Sequence, residues 1–278
     1  MIRLIVSDID GTLVPEGETR LNPEYMNVIG KLTERGIAFA AASGRQSSSM
    51  DAVFHPVREK IYYLSDNGAY IQRYGVSARE LRLDPADARA LLDCVRNIGG
   101  CYPLFSTTEG FYTDAQDPAF HHLVFEQYGG TGGVLEDVSP YADCSIKLSL
   151  YCPDGAQPMY RKLEPWKEKF SVNISGARWV DINAPEATKG NAVEWLQREL
   201  GVLPEETVVI GDNFNDISML ERASYSFASV LSCPEVKASA RYLAGSWEVD
   251  GVLAILRRIL DQPEEFLADP QGREVAHE

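Results

Sequence analysis

Residues 3–12 read Arg-Leu-Ile-Val-Ser-Asp-Ile-Asp-Gly-Thr, a short apolar run that stops at two carboxylates, Asp8 and Asp10, followed by Gly11-Thr12. Uninterrupted apolar runs of this length fit a strand buried on both faces, as in a parallel sheet. The pattern recurs. Ile37 to Ala42 ends at Ser43-Gly44-Arg45, Ile61 to Leu64 leads into Asp66-Asn67-Gly68, and Thr207 to Ile210 ends at Gly211-Asp212. Helical segments lie between these runs. Asn22-Pro23-Glu24 supplies an N-cap, a proline at the first helical position and an acid in the first turn, and the helix it opens stops at Gly36. Strands alternating with helices predict an α/β protein with a Rossmann-like, doubly wound parallel sheet, whose ligands bind beyond the carboxyl ends of the strands. The polar clusters fall at those ends.

From about residue 83 to 186 the rhythm changes. A helix over 84–97 ending at Gly99-Gly100 precedes strand-like segments at 101–106 and 110–114, a helical stretch near 117–128 and a Gly-rich loop over 129–133. A strand from Ser145 to Cys152, a helix near 156–169 and strands near 171–175 and 178–183 follow. This pattern predicts an α+β module of residues 83–186 inserted into a core made of residues 1–82 and 187–278. The polar tail from Ala268 onward is predicted to fray.

Composition narrows the function classes. The chain has 278 residues, 45% of them hydrophobic and 24% charged, as in ordinary globular proteins. Its formal charge of −15, from 26 basic and 41 acidic residues, argues against a nucleic-acid backbone or an anionic membrane as a partner. No stretch approaches the roughly 20 apolar residues of a membrane span, and the N-terminus lacks the apolar region of a signal peptide. Five cysteines, odd in number and without a Cys-x-x-Cys pair, predict reduced, mostly buried thiols in a cytoplasm.

The polar clusters carry the chemistry. Alternate residues of an extended chain point to opposite faces, so Asp8 and Asp10 can take different jobs, one attacking while the other handles a proton. Buried carboxylates repel unless a cation neutralises them, and Mg²⁺ is the hard cation that a few oxygens and a phosphate bind while it keeps waters. Asp-Gly is also a common turn pair. Ser43-Gly44-Arg45 offers a hydroxyl and backbone amides suited to phosphate oxygens. Lys189-Gly190-Asn191 opens a helix with a cation, where the macrodipole favours an anion. Gly211-Asp212-Asn213-Phe214-Asn215-Asp216 sets two acids four apart at a strand-to-helix junction, and an N-cap accounts for only one of them. Each cluster alone has an ordinary structural explanation. All four in this order on one sheet edge do not.

These motifs, Asp-x-Asp-Gly-Thr, then Ser43, then Lys189, then Gly-Asp-x-x-Asn-Asp, resemble those of the haloacid dehalogenase superfamily. Asn67-Gly68-Ala69 and Asp250-Gly251-Val252 resemble its Cof-like phosphatase branch. The resemblance implies a Mg²⁺-dependent phosphomonoester hydrolase acting on a small phosphorylated metabolite such as a sugar phosphate. By the same resemblance Asp8 is the nucleophile, forming an aspartyl-phosphate, and Asp10 protonates the leaving oxygen and then activates water. Ser43, Gly44, Lys189 and Asn215 would hold the phosphoryl group. Asp8, the main-chain carbonyl of Asp10, and Asp212 would bind Mg²⁺, with Asp216 orienting metal waters or Lys189. A halide leaving group needs no acid, so Asp10 favours phosphoryl chemistry over dehalogenation.

Spacing locates the insert. Ser43 and Lys189 lie 146 positions apart (189 − 43), far more than two β-α units need, so the insert falls between the second and third motifs. In the resembled superfamily that is the place of a type II cap, and the α+β pattern implies the IIB form. Lys147, Arg178, Tyr112, His121 and His122 are the candidates in it for leaving-group contacts. One departure stands out: where Cof-like proteins carry Gly-Asn-Ala after the strand following the last motif, this chain has Ser226-Phe227-Ala228-Ser229-Val230-Leu231. The rivals to a phosphatase are a phosphomutase, which uses the same acid pair, and a non-catalytic protein that binds phosphate or a partner on this fold.

Overall fold

The computed structural model describes residues 1–272. Strands β1 (Leu4–Asp8), β2 (Ala38–Ala42), β3 (Tyr62–Ser65), β4 (Tyr70–Arg73) and β5 (Val76–Glu80) come first. The middle holds β6 (Tyr102–Ser106), β7 (Phe111–Thr113), β8 (Gly132–Val134), β9 (Lys147–Tyr151), β10 (Ser171–Gly176) and β11 (Trp179–Asn183). The chain then adds β12 (Thr207–Gly211), β13 (Tyr225–Ser229) and β14 (Tyr242–Ala244). Eight strands form one sheet, in the order β14-β13-β12-β1-β2-β3-β4-β5, and six form the other, in the order β10-β11-β9-β6-β7-β8.

The larger sheet is parallel from β14 to β3. Its double winding follows from period-two alternation within apolar strands. Ile5, Phe39, Ala41, Val208 and Ile210 pack toward the helices Glu24–Glu34 and Gly251–Asp261. Leu4, Val6, Ala40, Ala42 and Val209 pack on the opposite face toward the helices Lys189–Leu200 and Ile217–Leu220. Both faces are covered, as the continuous apolar runs require.

The antiparallel hairpin β4–β5 extends this sheet and is absent from the sequence reading. Its two-residue turn, Tyr74-Gly75, has both residues at positive φ, 47° and 71°. Such primed turns match the strand twist, but Tyr at the first position is an unusual choice that hides the signal.

The smaller sheet has one apolar face. Phe105, Leu148, Leu150, Val180 and Ile182 pack under the helices Pro85–Ile98 and Ala156–Lys162. The other face alternates with it. It carries Leu104, Tyr102, Tyr151 and Trp179 against Phe120 and Val124 at one end, and Lys147, Ser149, Asp181 and Asn183 at the other. The two connecting segments meet in a small cluster of Leu81, Ala69, Tyr70, Ile146, Ala184 and Ala187.

Some local expectations need correcting. The Gly-rich 129–133 is not wholly loop, because Gly132 opens β8, which pairs in parallel with β7. The pairing brings backbones so close that a Cβ on Gly132, at φ 121°, would lie 1.9 Å from the Phe111 carbonyl oxygen. The thiols are free, but only Cys152 is fully buried. The tail is anchored as far as it is described. Arg258 Nη1 donates to Pro270 O at 2.8 Å and Gln271 Nε2 to Leu243 O at 3.0 Å. The rest of the predicted frayed segment, 273–278, lies outside the described residues. Among the described residues no helix is long and apolar enough to cross a membrane.

Replacing Gly132 by Ala should destabilise the protein by about 1–3 kcal/mol through clash and backbone strain. At Gly133 an added Cβ meets nothing within 4 Å. Gly133→Ala should therefore stay within about 0.5 kcal/mol of the parent, as surface changes usually do. Urea midpoints of the two variants read the contrast.

Candidate active site

Four segments deliver charged side chains to the carboxyl edge of the larger sheet. Asp8 is the last residue of β1, Lys189 the first of its helix, and Asp212 follows β12. Asp216 closes a short 3₁₀ turn, Phe214–Asp216. Thr188 caps the Lys189 helix by accepting from Asn191 N at 3.1 Å. The helix therefore starts at the cation, as the sequence implied.

Lys189 Nζ donates to Asp8 Oδ1 and to Asp216 Oδ1, each at 2.5 Å, with only 1% of its side chain exposed. Asp216 turns its other oxygen to backbone amides, accepting from Asp212 N at 2.8 Å and Asn213 N at 2.9 Å. That contact holds the Asp212 loop against the lysine. Thr12 Oγ1 donates to Asp212 Oδ1 at 2.9 Å, which ties the first motif to the last. Carboxylate oxygens of Asp8, Asp212 and Asp216 all lie within 4.8 Å of one another. Gly11 makes this approach possible, since at φ 83° a Cβ there would stand 2.2 Å from Asp212 Oδ2.

Asp10 faces elsewhere. Its oxygens accept from Arg45 Nε at 2.7 Å, Arg45 Nη2 at 2.6 Å and Gly17 N at 2.9 Å. The clustered carboxylates are thus Asp8, Asp212 and Asp216, with the Asp10 side chain outside them. Ser43 Oγ accepts from Arg45 N at 3.0 Å, and the Ser43 carbonyl accepts from Asn67 N at 3.0 Å. Asn67 Oδ1 in turn accepts from Asn215 Nδ2 at 3.1 Å. Ser43 and Asn215 are so linked through Asn67.

Three carboxylates against one ammonium leave two uncompensated negative charges if all ionise. Burial, then the Asp216 charge, pushes the Asp8 carboxyl well above the usual range. The same two causes push Asp212 up to about 6. Burial alone would lower the Lys189 ammonium, but Asp216 and Asp8 more than reverse it and hold it above its ordinary value. Asp8 Oδ2 is shielded from water and has no hydrogen-bond partner. Unsatisfied buried carboxylate oxygens are costly, so such an atom marks a place for a ligand.

A sequence profile of the haloacid dehalogenase-like hydrolases matches residues 5–256. The chain belongs to that family. The 5-amino-6-(5-phospho-D-ribitylamino)uracil phosphatase YbjI of Escherichia coli is 27% identical over 272 residues, covering 95% of this chain and 98% of that protein. A solved structure from Eubacterium rectale, 31% identical, superposes with a TM-score of 0.86 over 93% of this chain and 99% of its own. The subclass IIB sugar phosphatase BT4131, at 19% identity, shares the fold with a TM-score of 0.80 over 92% of this chain and 98% of its own. This haloacid dehalogenase-like hydrolase is a phosphatase, like the relatives so named, and its six-stranded sheet has the place and make-up of a IIB cap.

The cap candidates fare unequally. Arg178 Nη1 donates to the Tyr151 hydroxyl at 3.1 Å, and Tyr112 stacks on Tyr141 at 3.9 Å between ring centroids. His121 Nε2 sits 2.6 Å from Ala115 O and His122 Nδ1 2.8 Å from Glu126. These four are engaged inside the cap, whereas Lys147 reaches the core. Thr12, Arg45 and Asn67 stand in the quoted motifs, and their contacts with Asp212, Asp10 and Asn215 add them to the site. Nothing local marks a threonine after Asp-Gly as a partner for a carboxylate 200 residues away. At the altered stretch after the last motif, Ser229 Oγ accepts from Leu231 N at 3.2 Å to close the turn without glycine. Val230 and Leu231 are left exposed, at 43% and 58%.

Lys189→Met would strand Asp8 and Asp216 without their cation. A loss of about 3–5 kcal/mol is expected at pH 8, as for other buried pairs deprived of one partner. Carboxyls whose folded pKa exceeds the unfolded value stabilise the protonated fold at low pH and lose that contribution as pH rises. The deficit should therefore shrink between pH 8 and pH 5. Denaturation of both proteins across that range measures it.

Proposed function

We propose that the chain is a Mg²⁺-dependent phosphomonoester hydrolase that takes the phosphoryl group of a small metabolite onto Asp8. The observation that carries this reading is the buried Asp8, bonded through one oxygen to Lys189 and bare at the other, beside Asp212 and Asp216. The donor set fits the metal: clustered hard oxygens with two negative charges in excess are what a divalent ion with oxygen preference requires. Asp8 and Asp212, with the Asp10 carbonyl, would hold it. When bound, Mg²⁺ would neutralise charge on the transferring phosphoryl group.

The chain's own residues divide the rest. Asp8 Oδ2 attacks phosphorus, while Lys189, held at Asp8, lessens the repulsion between a carboxylate and a phosphate dianion. Asp216 keeps Lys189 in place. Ser43, the Gly44 amide and Asn215 hold the phosphoryl oxygens. Asp10, aimed by Arg45, gives a proton to the leaving oxygen and takes one from the water that then cleaves the aspartyl-phosphate. Most of this is positioning and charge compensation, which suffice for phosphoryl transfer.

A sugar phosphate or similar small metabolite fits a site closed by a cap of residues 83–186. The E. coli relative, named for a phosphorylated ribitylaminouracil, supports that scale of substrate. A cytoplasmic setting is part of the same proposal and rests on the free thiols and the lack of a membrane-length helix among the described residues.

Asp8→Asn should remove phosphate release from an aryl phosphate by at least about three orders of magnitude, the scale of losing a nucleophile, with circular dichroism unchanged. Near-parental turnover would exclude Asp8. Chelation should abolish release reversibly, and release without an added bisphosphate separates a hydrolase from a phosphomutase. Protons at Asp8 and Asp212 compete with the metal, so Mg²⁺ affinity should fall by at least about tenfold per pH unit below about 6. Calorimetric titration of the metal-free protein from pH 5 to 8 tests this, and a flat profile would remove Asp212 from the metal set.

A further inference from the structure

The phosphate-binding loop is held by its carbonyls. Ser43 O accepts from Asn67 N and Arg45 O from Asp66 N, both at 3.0 Å. Gly44 O, between them, accepts from Lys147 Nζ at 2.9 Å. Two of these donors come from the turn after β3, in which Asp66 and Asn67 both adopt positive φ, 50° and 58°. Asp and Asn reach that conformation more readily than other non-glycine residues, but two in succession still carry a backbone cost that the surroundings must offset. The third donor comes from the cap.

Lys147 opens β9 on the polar half of the cap sheet and is 4% exposed. Besides Gly44 O it pairs with Asp66 at 2.9 Å and Asp181 at 3.7 Å. Asp181 is fixed by Ser149 Oγ at 2.6 Å, and Asn183 Nδ2 donates to Asp66 O at 3.2 Å. One cap cation thus touches the middle carbonyl of the phosphate loop and the carboxylate of the strained turn that holds its neighbours. A fully buried lysine with three oxygen partners is too costly to desolvate for surface decoration. The junction also lies beside the cluster in which the two connecting segments meet.

We propose that Lys147 is a positioning residue that makes the phosphate-binding geometry of Ser43-Gly44-Arg45 depend on the docked cap. With Lys147 on Gly44 O, all three carbonyls are turned to protein donors; the amides of Ser43 and Arg45 are bonded to Leu64 O and to Ser43 Oγ, each at 3.0 Å, so the Gly44 amide between them is the one left to present to phosphate. Without it the middle peptide loses its anchor, and the loop must be ordered by the ligand at the expense of affinity. Phosphate and substrate would weaken alike, because both use the loop in the ground state as well as in the transition state.

This inference rests on the phosphatase reading of the site, but its primary readout is binding, not turnover. Calorimetry with inorganic phosphate and Mg²⁺ compares the parent, Lys147→Met, Lys147→Arg and the double variant Asp66→Asn/Lys147→Met. The double variant keeps the junction's net charge, so it should recover the stability that Lys147→Met loses. Phosphate affinity is expected to fall about tenfold in both Met variants, the effect of losing one charge-assisted hydrogen bond, and to recover in part with Arg. In turnover of an aryl phosphate, KM should rise by a similar factor with kcat within about twofold. Parental affinity and KM in the refolded double variant would overturn the proposal and leave Lys147 a purely structural cation. A parent that binds phosphate without hydrolysing any ester would sink the hydrolase reading while leaving this comparison readable.

Discussion

Everything at the carboxyl edge depends on Lys189 standing between Asp8 and Asp216. A cation at a helix N-terminus opposes the helix dipole, and a buried ammonium is strongly disfavoured in isolation. Two carboxylates at hydrogen-bonding distance reverse both penalties. Those carboxylates come from the end of β1 and from the turn after β12, the two strands paired at the centre of the larger sheet. The lysine, proposed as countercharge for the reaction, is therefore also a clamp on three segments that are distant in sequence. Asp216 extends the clamp by accepting two amides of the Asp212 loop, so that loop and the lysine are fixed by one side chain.

The charge count explains why the clamp is incomplete by itself. One ammonium cannot satisfy three buried carboxylates, and the upward shifts at Asp8 and Asp212 express the shortfall. A cluster already satisfied by protein groups would offer nothing to the divalent ion proposed for it. The orphaned Asp8 oxygen places the deficit at the atom proposed to attack. Stability is surrendered where function needs it, as strained or under-compensated sites generally do.

The sequence disclosed this much because parallel-sheet physics is local. Apolar runs ending in polar residues report both buried strands and the edge where ligands bind, so Asp8, Ser43, Lys189 and Asp212 could be placed before any contact was known. What stayed hidden depends on pairing across the fold. The hairpin at 70–80 was missed because a tyrosine occupies a positive-φ turn position, and β8 because glycines selected for close backbone approach look like a loop. The same holds for Thr12 on Asp212 and Arg45 on Asp10, since neither partner choice is written in spacing. Lys147 is the instructive case. As a lysine in a strand it read as one weak leaving-group candidate among five, and only the register of β9 and β11 with the turn at Asp66 shows that it faces the core loop.

The overall charge of −15 sets the final constraint. A phosphomonoester approaching this protein meets a field of its own sign, screened over a Debye length of about 8 Å at physiological ionic strength. On the proposed reading, capture depends on groups within a few ångströms: Lys189, the Gly44 amide and a bound metal. Short-range recognition of that kind tolerates little error in geometry. It favours a rigid core loop whose carbonyls are all engaged, with the cap itself supplying one of the three bonds. An acidic surface and a tightly braced 43–45 loop are thus two sides of one arrangement: if that loop binds phosphate as proposed, its affinity comes from placement because the long-range field gives none.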